Sequence, residues 1–443
     1  MRSENPTFRR ANPSWANACV GENGDPGYVE YSKGFSRAAN MLINAVLEDH
    51  SIHLTTDIFV YPICFNMRHS VELRLKGAIS ALQNLAARKQ KAINFDFMGS
   101  HDIYRIWTFF RTESEMLDGR FQTINNLLSP TILDIAEVDP SGQTFRYPFS
   151  TQSIKHLSEV ALINFVVLKN KFLELEINLD KLLKIYEWLD QEYNQDTSCV
   201  LHRNQIFSLA KELPKRDTWH NDSFTVTKDL IRAKYNISNN ALSKILNRIQ
   251  NHYTLAPLIG LHKPLAGIDT PLLIDICDIW IEFNENIKKP ESEQEVTTSY
   301  AELIKEMLTQ RDSAWEKLQH LITPELTAGF HALFYFAYDF AFTEYYELLY
   351  SRYLSEVKNE IDHGHQTIRD QFMHVFDKTN FLHHLIQSLY ALGHRTTADH
   401  VIAKHDIGHA FHWLDKARNG ELFMPPDFAE YPTSPFVEHN QNQ

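Results

Sequence analysis

Cysteine and glycine are scarce in this chain of 443 residues, which contains 4 cysteines and 15 glycines. The cysteines lie far apart and form no C-x-x-C pair, which argues against a disulfide framework or a zinc ribbon. The chain has neither the apolar stretch of a signal peptide nor an uninterrupted apolar run of the roughly 20 residues that cross a bilayer. We therefore expect a cytoplasmic protein without membrane contact.

Positive charge is in deficit over the chain as a whole. Lys and Arg number 43 against 56 Asp and Glu, so the formal net charge is −13. A protein that coats nucleic acid or an anionic membrane carries the opposite sign. The segment 201–263 differs, because its ten basic and four acidic residues give it a net charge of +6. Any contact with nucleic acid is therefore expected to be local and to use this segment.

Apolar residues recur at spacings of three and four along most of the chain, whereas alternation of polar and apolar residues is rare. This periodicity predicts an all-α, multi-domain protein built of helical bundles. The predicted domains are an N-terminal helical domain (1–210), a basic connector (211–265) and a histidine-rich helical domain (266–443). In the first domain we predict helices over about 29–49, 59–89 and 154–191, the first with Phe35, Ala38, Met41, Leu42, Ala45 and Val46 in one stripe.

Charged residues occur at helical intervals in the second predicted helix. Arg68, Glu72 and Lys76 are at i, i+4 and i+8, so they lie along one side of that helix. Taken alone, the pattern is typical of a solvated ladder of salt bridges. Two further motifs follow it, H-D-I-x-x-I-W beginning at His101 and F-R-Y-P containing Arg146.

The ordered set R-H-x-x-E-L-x-L-K, H-D-I-x-x-I-W and F-R-Y-P, which spans about residues 30–190, resembles the HEPN superfamily, helical domains of prokaryotic RNA-cleaving toxins and defence proteins. The resemblance implies a HEPN-like bundle whose charged helix lines a cleft. Arginine suits bidentate binding of phosphate, and histidine exchanges a proton near neutral pH. The candidate site residues are Arg68, His69, Glu72, His101 and Arg146.

The catalytic Arg-x(4–6)-His spacing of HEPN ribonucleases is absent from this first domain but occurs further along, in R-D-Q-F-M-H from Arg369 to His374. Five residues apart on a helix, the two side chains are separated by about 140° around the axis, so both can border one groove. A second match, from Arg395 to His400, shows that the spacing also arises by chance in a chain with 22 histidines.

The resemblance implies a metal-independent endoribonuclease of anti-phage defence or toxin type, with RNA as substrate and no cofactor. In that mechanism a ribose 2′-hydroxyl attacks its own phosphate, His374 moves the proton and Arg369 stabilises charge on the phosphoryl oxygens. HEPN enzymes commonly build the site across a dimer, so a homodimer is expected.

Histidines cluster near the C-terminal end of the chain. His405, His409 and His412 are at i, i+4 and i+7, and H-D at 405–406 resembles the HD metal-dependent phosphohydrolases. Imidazoles so spaced on one helix converge on a point that a divalent metal can occupy. An HD-like phosphohydrolase is therefore a weaker alternative function, set against a polar helix whose histidines are hydrogen-bonded within the protein.

The basic connector resembles a helix-turn-helix over 227–248. Asn236 suits the tight turn, because asparagine tolerates a left-handed backbone, and Ser238 is placed to cap the second helix. The candidate nucleic-acid contacts are Arg232, Lys234, Asn239, Asn240, Ser243, Lys244 and Arg248. A plain basic hairpin that joins two lobes explains the pattern equally well. The main alternative to the nuclease is therefore a non-catalytic sensor or nucleic-acid-binding regulator.

Overall fold

The computed structural model describes residues 5–24, 26–48, 55–150, 152–196, 201–288, 300–339 and 341–429. These residues form sixteen α-helices and no β-sheet, which confirms the all-α prediction. None of the helices in these ranges is long and apolar enough to cross a membrane. The chain divides into two compact units, unit 1 (Met1–Thr197 with Pro426–Gln443) and unit 2 (Ser198–Pro425).

Unit 1 is a bundle of five helices built around the longest of them. The helices are α1 (Tyr28–Glu48), α2 (Thr56–Arg88), α3 (Ile103–Leu117), α4 (Phe121–Val138) and α5 (Phe165–Asp196). The 33-residue α2 packs against α1, α3 and α5, and fully buried residues such as Val71 and Leu75 place it in the core. Phe428, which follows unit 2 in sequence, packs against this same core.

The predicted bounds of α1 and α2 agree with the structure to within three residues, but the predicted start of α5 is wrong. Residues 152–164 are not helical, and Ser153 and Leu157 have φ of 61° and 58°, which an α-helix does not accommodate. The predicted stripe on α1 is also rotated. Val46 is buried as predicted, but Met41 is 73% exposed, and Ala39 and Ile43, which were not in the predicted stripe, are fully buried.

Unit 2 contains the other eleven helices, arranged around two apolar cores. They are α6 (Arg203–Glu212), α7 (Asp222–Tyr235), α8 (Asn239–Gln250), α9 (Thr270–Phe283), α10 (Tyr300–Leu318), α11 (Pro324–Phe336), α12 (Tyr345–Asp362), α13 (Ile368–Phe376), α14 (Phe381–Ala391), α15 (Arg395–His405) and α16 (Leu414–Arg418). Helices α6 to α8 share one core, which we call the trihelical core. Helices α9 to α16 share the second core, in which Phe330, Phe334 and Phe336 of α11 are buried.

The predicted domain boundaries after residues 210 and 265 differ from this division. Residue 210 lies inside α6, and Leu209 and Ala210 belong to the trihelical core together with residues of α7 and α8. The basic connector is therefore the greater part of a small helical core that also includes the segment 201–210.

Candidate functional site

The charged ladder of α2 is buried rather than solvated. Arg68, Glu72 and Lys76 are only 2%, 4% and 5% exposed. Glu72 accepts a hydrogen bond from Arg68, and its Oε1 lies 3.0 Å from Lys76 Nζ and 3.0 Å from His101 Nδ1. Burial opposes ionisation of Glu72, but Arg68, Lys76 and His101 together hold its pKa below the ordinary value. The solvated ladder that the spacing alone indicates is therefore wrong, because this side of α2 faces the rest of unit 1.

The guanidinium of Arg68 holds the chain that follows α4. Its Nε donates to the carbonyl of Asp139 at 3.2 Å, and its Nη2 donates to the carbonyls of His101 and Pro140 at 2.5 and 2.7 Å. Gly142 turns over the same group with φ of 76°, and a Cβ there would lie 3.1 Å from Nη1. Most N–H groups of Arg68 are therefore hydrogen-bonded within the protein. This is a structural role rather than phosphate binding.

His69 and Arg146, two other residues of the predicted cleft, both contact Phe65. The imidazole of His69 is half-buried against Phe35 and Phe65, with ring centroids 4.5 and 5.7 Å apart, and burial lowers its pKa. Arg146 is exposed, and its guanidinium carbon lies 5.5 Å from the centre of the Phe65 ring. The structure thus places these two residues in one partly open aromatic cluster.

Arg369 and His374 both lie on α13, but they contact different helices. Arg369 pairs with Asp312 of α10 and lies 5.9 Å above the Trp315 ring. His374 is exposed, and its Nε2 is 3.0 Å from the hydroxyl of Tyr335 on α11. Within the described ranges no hydrogen bond, ion pair or ring contact joins Arg369 to His374. The separation around the helix axis that the sequence predicted is therefore real, but it directs the two groups to different neighbours.

The environment of His374 favours the neutral imidazole. Its ring stacks on His331 with centroids 5.9 Å apart. Burial, with a smaller contribution from Lys378, lowers the pKa of His374. His331 itself is 4% exposed and donates to the carbonyl of Gln371 at 2.7 Å, and burial lowers its pKa to about 4. Near pH 7 both rings are therefore uncharged.

The helical face assumed for His405, His409 and His412 does not exist. Helix α15 ends at His405, because Asp406 has a left-handed backbone with φ of 53°, so the two later histidines leave the helix axis. His405 Nε2 lies 2.6 Å from Oδ1 of Asp278. In the part of the chain that the structure describes, no group of three or more His, Cys, Asp or Glu side chains is arranged to hold a metal ion. The described residues therefore do not have the histidine geometry on which the HD-like phosphohydrolase hypothesis depends.

The predicted helix-turn-helix has the expected local geometry. Asn236 ends α7 in the left-handed region, with φ of 49° and ψ of 51°. Ser238 caps α8 by accepting a hydrogen bond from the backbone N–H of Ala241. Between them Ile237 is buried in the trihelical core and fixes the turn. Both sequence predictions about this turn are confirmed.

Helix α8 buries one side and exposes the other. Its apolar residues Leu242, Ile245, Leu246 and Ile249 are buried. The opposite side is exposed and contains no acidic residue; it consists of Asn239, Asn240, Ser243, Lys244 and Asn247, which we call the α8 face. The N-terminal N–H groups of α8 and its partial positive charge lie at the same end as Asn239 and Asn240. This surface has the shape and chemistry of a helix that can lie in a groove.

Three of the predicted basic contacts are neutralised within the protein. Arg232 pairs with Asp229 at 3.1 Å, and Lys234 pairs with Glu212 at 2.7 Å. Arg248 Nη2 lies 4.0 Å from Oε1 of Glu344, which directs it toward α12 rather than toward the α8 face. Lys244 is exposed at one edge of the α8 face. The positive charge available to a ligand at α8 is therefore smaller than the sequence count indicated.

Sequence reasoning missed one carboxylate that brings three basic side chains together. Glu344, just before α12, pairs with Arg203 of α6 and lies 2.9 Å from His252 Nε2 as well as close to Arg248. Burial opposes its ionisation, but His252 and Arg203 hold the pKa of Glu344 far below its ordinary value. No local spacing signals this cluster, because its partners are 92 to 141 residues away in sequence.

Comparison of the chain with protein-family models, curated proteins and solved structures found no match. The HEPN resemblance therefore stays a prediction from the quoted motifs.

Proposed function

We propose that the protein binds double-stranded DNA through the α8 face, as a non-catalytic nucleic-acid-binding protein. The observation that carries this proposal is an exposed polar helix face without acidic residues on the third helix of a trihelical core, entered through a three-residue turn. In a helix-turn-helix the second helix of the motif enters the major groove, and its N-terminal residues contact base edges. The first turn of α8 has the residues suited to that position.

Each residue type on the α8 face has a role in this proposal. The amides of Asn239 and Asn240 suit bidentate hydrogen bonds to adenine, and the hydroxyl of Ser243 can donate or accept. Lys244 and the N–H groups at the start of α8 suit phosphate oxygens. Because Arg232, Lys234 and Arg248 already have acidic partners, few phosphates are neutralised and the affinity depends only weakly on salt.

Selection from a random duplex library, followed by titration at several salt concentrations, tests the proposal. Asn240→Ala should cost about 1–3 kcal/mol on the selected sequence and reduce discrimination at one position. Lys244→Ala should weaken binding to all sequences alike and reduce the salt slope by about one. Both variants should melt like the parent protein, because the two side chains are exposed.

Lys416→Ala, an exposed lysine on α16, is the matched control for charge and should leave DNA binding unchanged. The proposal fails if no sequence is enriched in the selection. It also fails if Lys416→Ala weakens binding as much as Lys244→Ala does, since the effect would then come from net charge rather than from the α8 face.

A metal-independent ribonuclease is the second candidate, and it is favoured by the environment of His374. The imidazole is exposed, neutral near pH 7 and hydrogen-bonded to Tyr335, which suits a general base that takes the proton of a ribose 2′-hydroxyl. In this candidate RNA is the substrate, and a homodimer supplies a second copy of the site. Arg369 would have to exchange Asp312 for the phosphate to stabilise the charge that develops on it.

Incubation of the protein with single-stranded RNA in EDTA tests this second candidate. Cleavage should be constant above the ordinary histidine pKa and should be lost as the pH falls through the lowered pKa of His374, because the protonated ring accepts no proton. His374→Ala should abolish cleavage, whereas His400→Ala, an exposed histidine at the chance match, should not. Cleavage that survives His374→Ala removes this centre, and activity that EDTA abolishes supports a metal-dependent phosphohydrolase instead.

A further inference from the structure

Unit 1 contains an open cavity of about 350 Å³ between α2, α4 and α5, which we call the apolar cavity. Residues 160–164, which precede α5, form part of its wall. Most of the side chains that line it are aliphatic or aromatic, among them Met67, Ile135, Phe145, Ile163, Leu168 and Phe172. The volume lies in the range of about 300–1,000 Å³ that is typical of small-molecule sites.

The buried end of the apolar cavity is formed by α2 and α5. Cys64, Met67 and Phe172 line it and are only 6%, 3% and 3% exposed. Burial, with a smaller contribution from Asp139, raises the pKa of Cys64 to about 12, so the thiol is neutral near pH 7. Arg68 also lines the cavity, but its Nε, Nη1 and Nη2 all have partners within unit 1. This end therefore suits hydrocarbon rather than a charged or strongly hydrogen-bonding group.

The mouth of the apolar cavity leaves large aliphatic side chains in water. Leu162 is 93% exposed and Val167 is 59% exposed, although both line the cavity. Val160 and Ile163, in the same part of the wall, are half-buried. A hydrocarbon chain in the cavity would remove part of this surface from water, which favours binding.

The charged side chains that line the mouth are exposed, and they come from two helices. Lys171 belongs to α5, and its Nζ is 3.7 Å from the exposed Glu174, a contact that water weakens. Asn164 also lines the mouth and accepts hydrogen bonds from the first backbone N–H groups of α5, at the partially positive end of that helix. Asp134, the acidic residue of the lining, belongs to α4. The α5 side of the mouth therefore suits a carboxylate.

We propose that the apolar cavity binds a fatty acid. The alkyl chain occupies the cavity as far as its buried end, and the carboxylate stays at the mouth beside Lys171 and the N-terminal end of α5. The cavity belongs to unit 1, whereas the α8 face and His374 belong to unit 2. The proposal is therefore independent of DNA binding and of RNA cleavage.

Calorimetric titration of the full chain with saturated fatty acids, from octanoate to tetradecanoate and below the concentrations at which they form micelles, tests the proposal. Affinity should rise about fourfold with each added methylene until the cavity is full, and then stop rising. Decanol and decylamine should each bind about two- to fivefold more weakly than decanoate, because neither has a negative charge for Lys171.

Two adjacent valines give a matched pair of variants. Val167 lines the apolar cavity, whereas Val166 is 54% exposed and does not line it. Val167→Gln should weaken decanoate and decanol alike by about fivefold. Val166→Gln should leave both affinities unchanged. Both variants should fold, because the two side chains are exposed.

A second pair of variants tests the position of the carboxylate. Lys171→Gln should weaken decanoate by about two- to fivefold and leave decanol unchanged, because only the acid pairs with the ammonium. Lys181→Gln is the control, since Lys181 is also an exposed residue of α5 but does not line the apolar cavity. It should leave the affinity for decanoate unchanged.

Four outcomes overturn the proposal. The first two are the absence of saturable binding by every acid in the series and equal effects of Val167→Gln and Val166→Gln. The third is binding of decylamine at least as tight as that of decanoate, which would assign the head group to Asp134 instead of Lys171. The fourth is an affinity that rises with chain length without a limit, because adsorption to the protein surface would then explain the binding.

Discussion

Helices α2 and α8 both have polar residues at intervals of three and four, yet one buries them and the other exposes them. In α2 the charged residues Arg68, Glu72 and Lys76 are buried, and apolar residues on the other sides of the helix are buried as well. In α8 the buried residues are all apolar and confined to one side. A helix that is apolar over most of its circumference is surrounded by protein, so its charged stripe is enclosed too. The position of the apolar residues, rather than the spacing of the charges, therefore indicates which polar face is available to a ligand.

The largest effect should come from breaking the α2 network. Arg68→Ala removes one partner of a buried ion pair and the donor to three backbone carbonyls, so it should lower the free energy of unfolding by about 3–5 kcal/mol. Urea denaturation of both proteins measures the difference. Lys244→Ala on α8 is the contrasting change and should stay within about 0.5 kcal/mol of the parent. An Arg68→Ala protein as stable as the Lys244→Ala protein would contradict the comparison.

A smaller effect should appear at the turn that orients α8. Asn236→Ala places a residue with a Cβ but no local hydrogen-bonding group in the left-handed region, which should cost about 1 kcal/mol. Asn236→Gly should be neutral or slightly stabilising, since glycine adopts positive φ without penalty. Thermal unfolding of the two variants measures the pair. Equal destabilisation by alanine and glycine would show that the asparagine side chain, and not the backbone conformation, supports the turn.

The sequence predicted those features that depend on neighbours within a few residues. The bounds of α1 and α2, the left-handed Asn236 and the cap at Ser238 are local, and they agree with the structure. The partners of Arg68 at 101, 139 and 140 are not local. The end of α15 at Asp406 also escaped prediction, because a histidine spacing of three and four favoured a continuous helix. Within the site, the α8 face could be predicted and the neutralisation of its flanking cations could not.

Arg369 and His374 also show that local sequence does not predict distant contacts. The angular separation of the two residues follows from helix geometry alone, and α13 is a helix as that argument requires. Which groups they meet depends on α10 and α11, whose residues Asp312 and Tyr335 are 57 and 39 positions away. A motif of two residues on one helix therefore fixes their directions but not their surroundings.

Glu344 joins the two apolar cores of unit 2 through ion pairs. Arg203 reaches it from the beginning of α6, Arg248 and His252 from the end of α8, and Glu344 itself precedes α12. The C-terminal end of α8 is therefore held by Glu344, whereas Asn239 and Asn240 at its N-terminal end are exposed to solvent. The ion pairs of Glu344 therefore resist rotation of α8, because they tie its C-terminal end to the chain that begins α12.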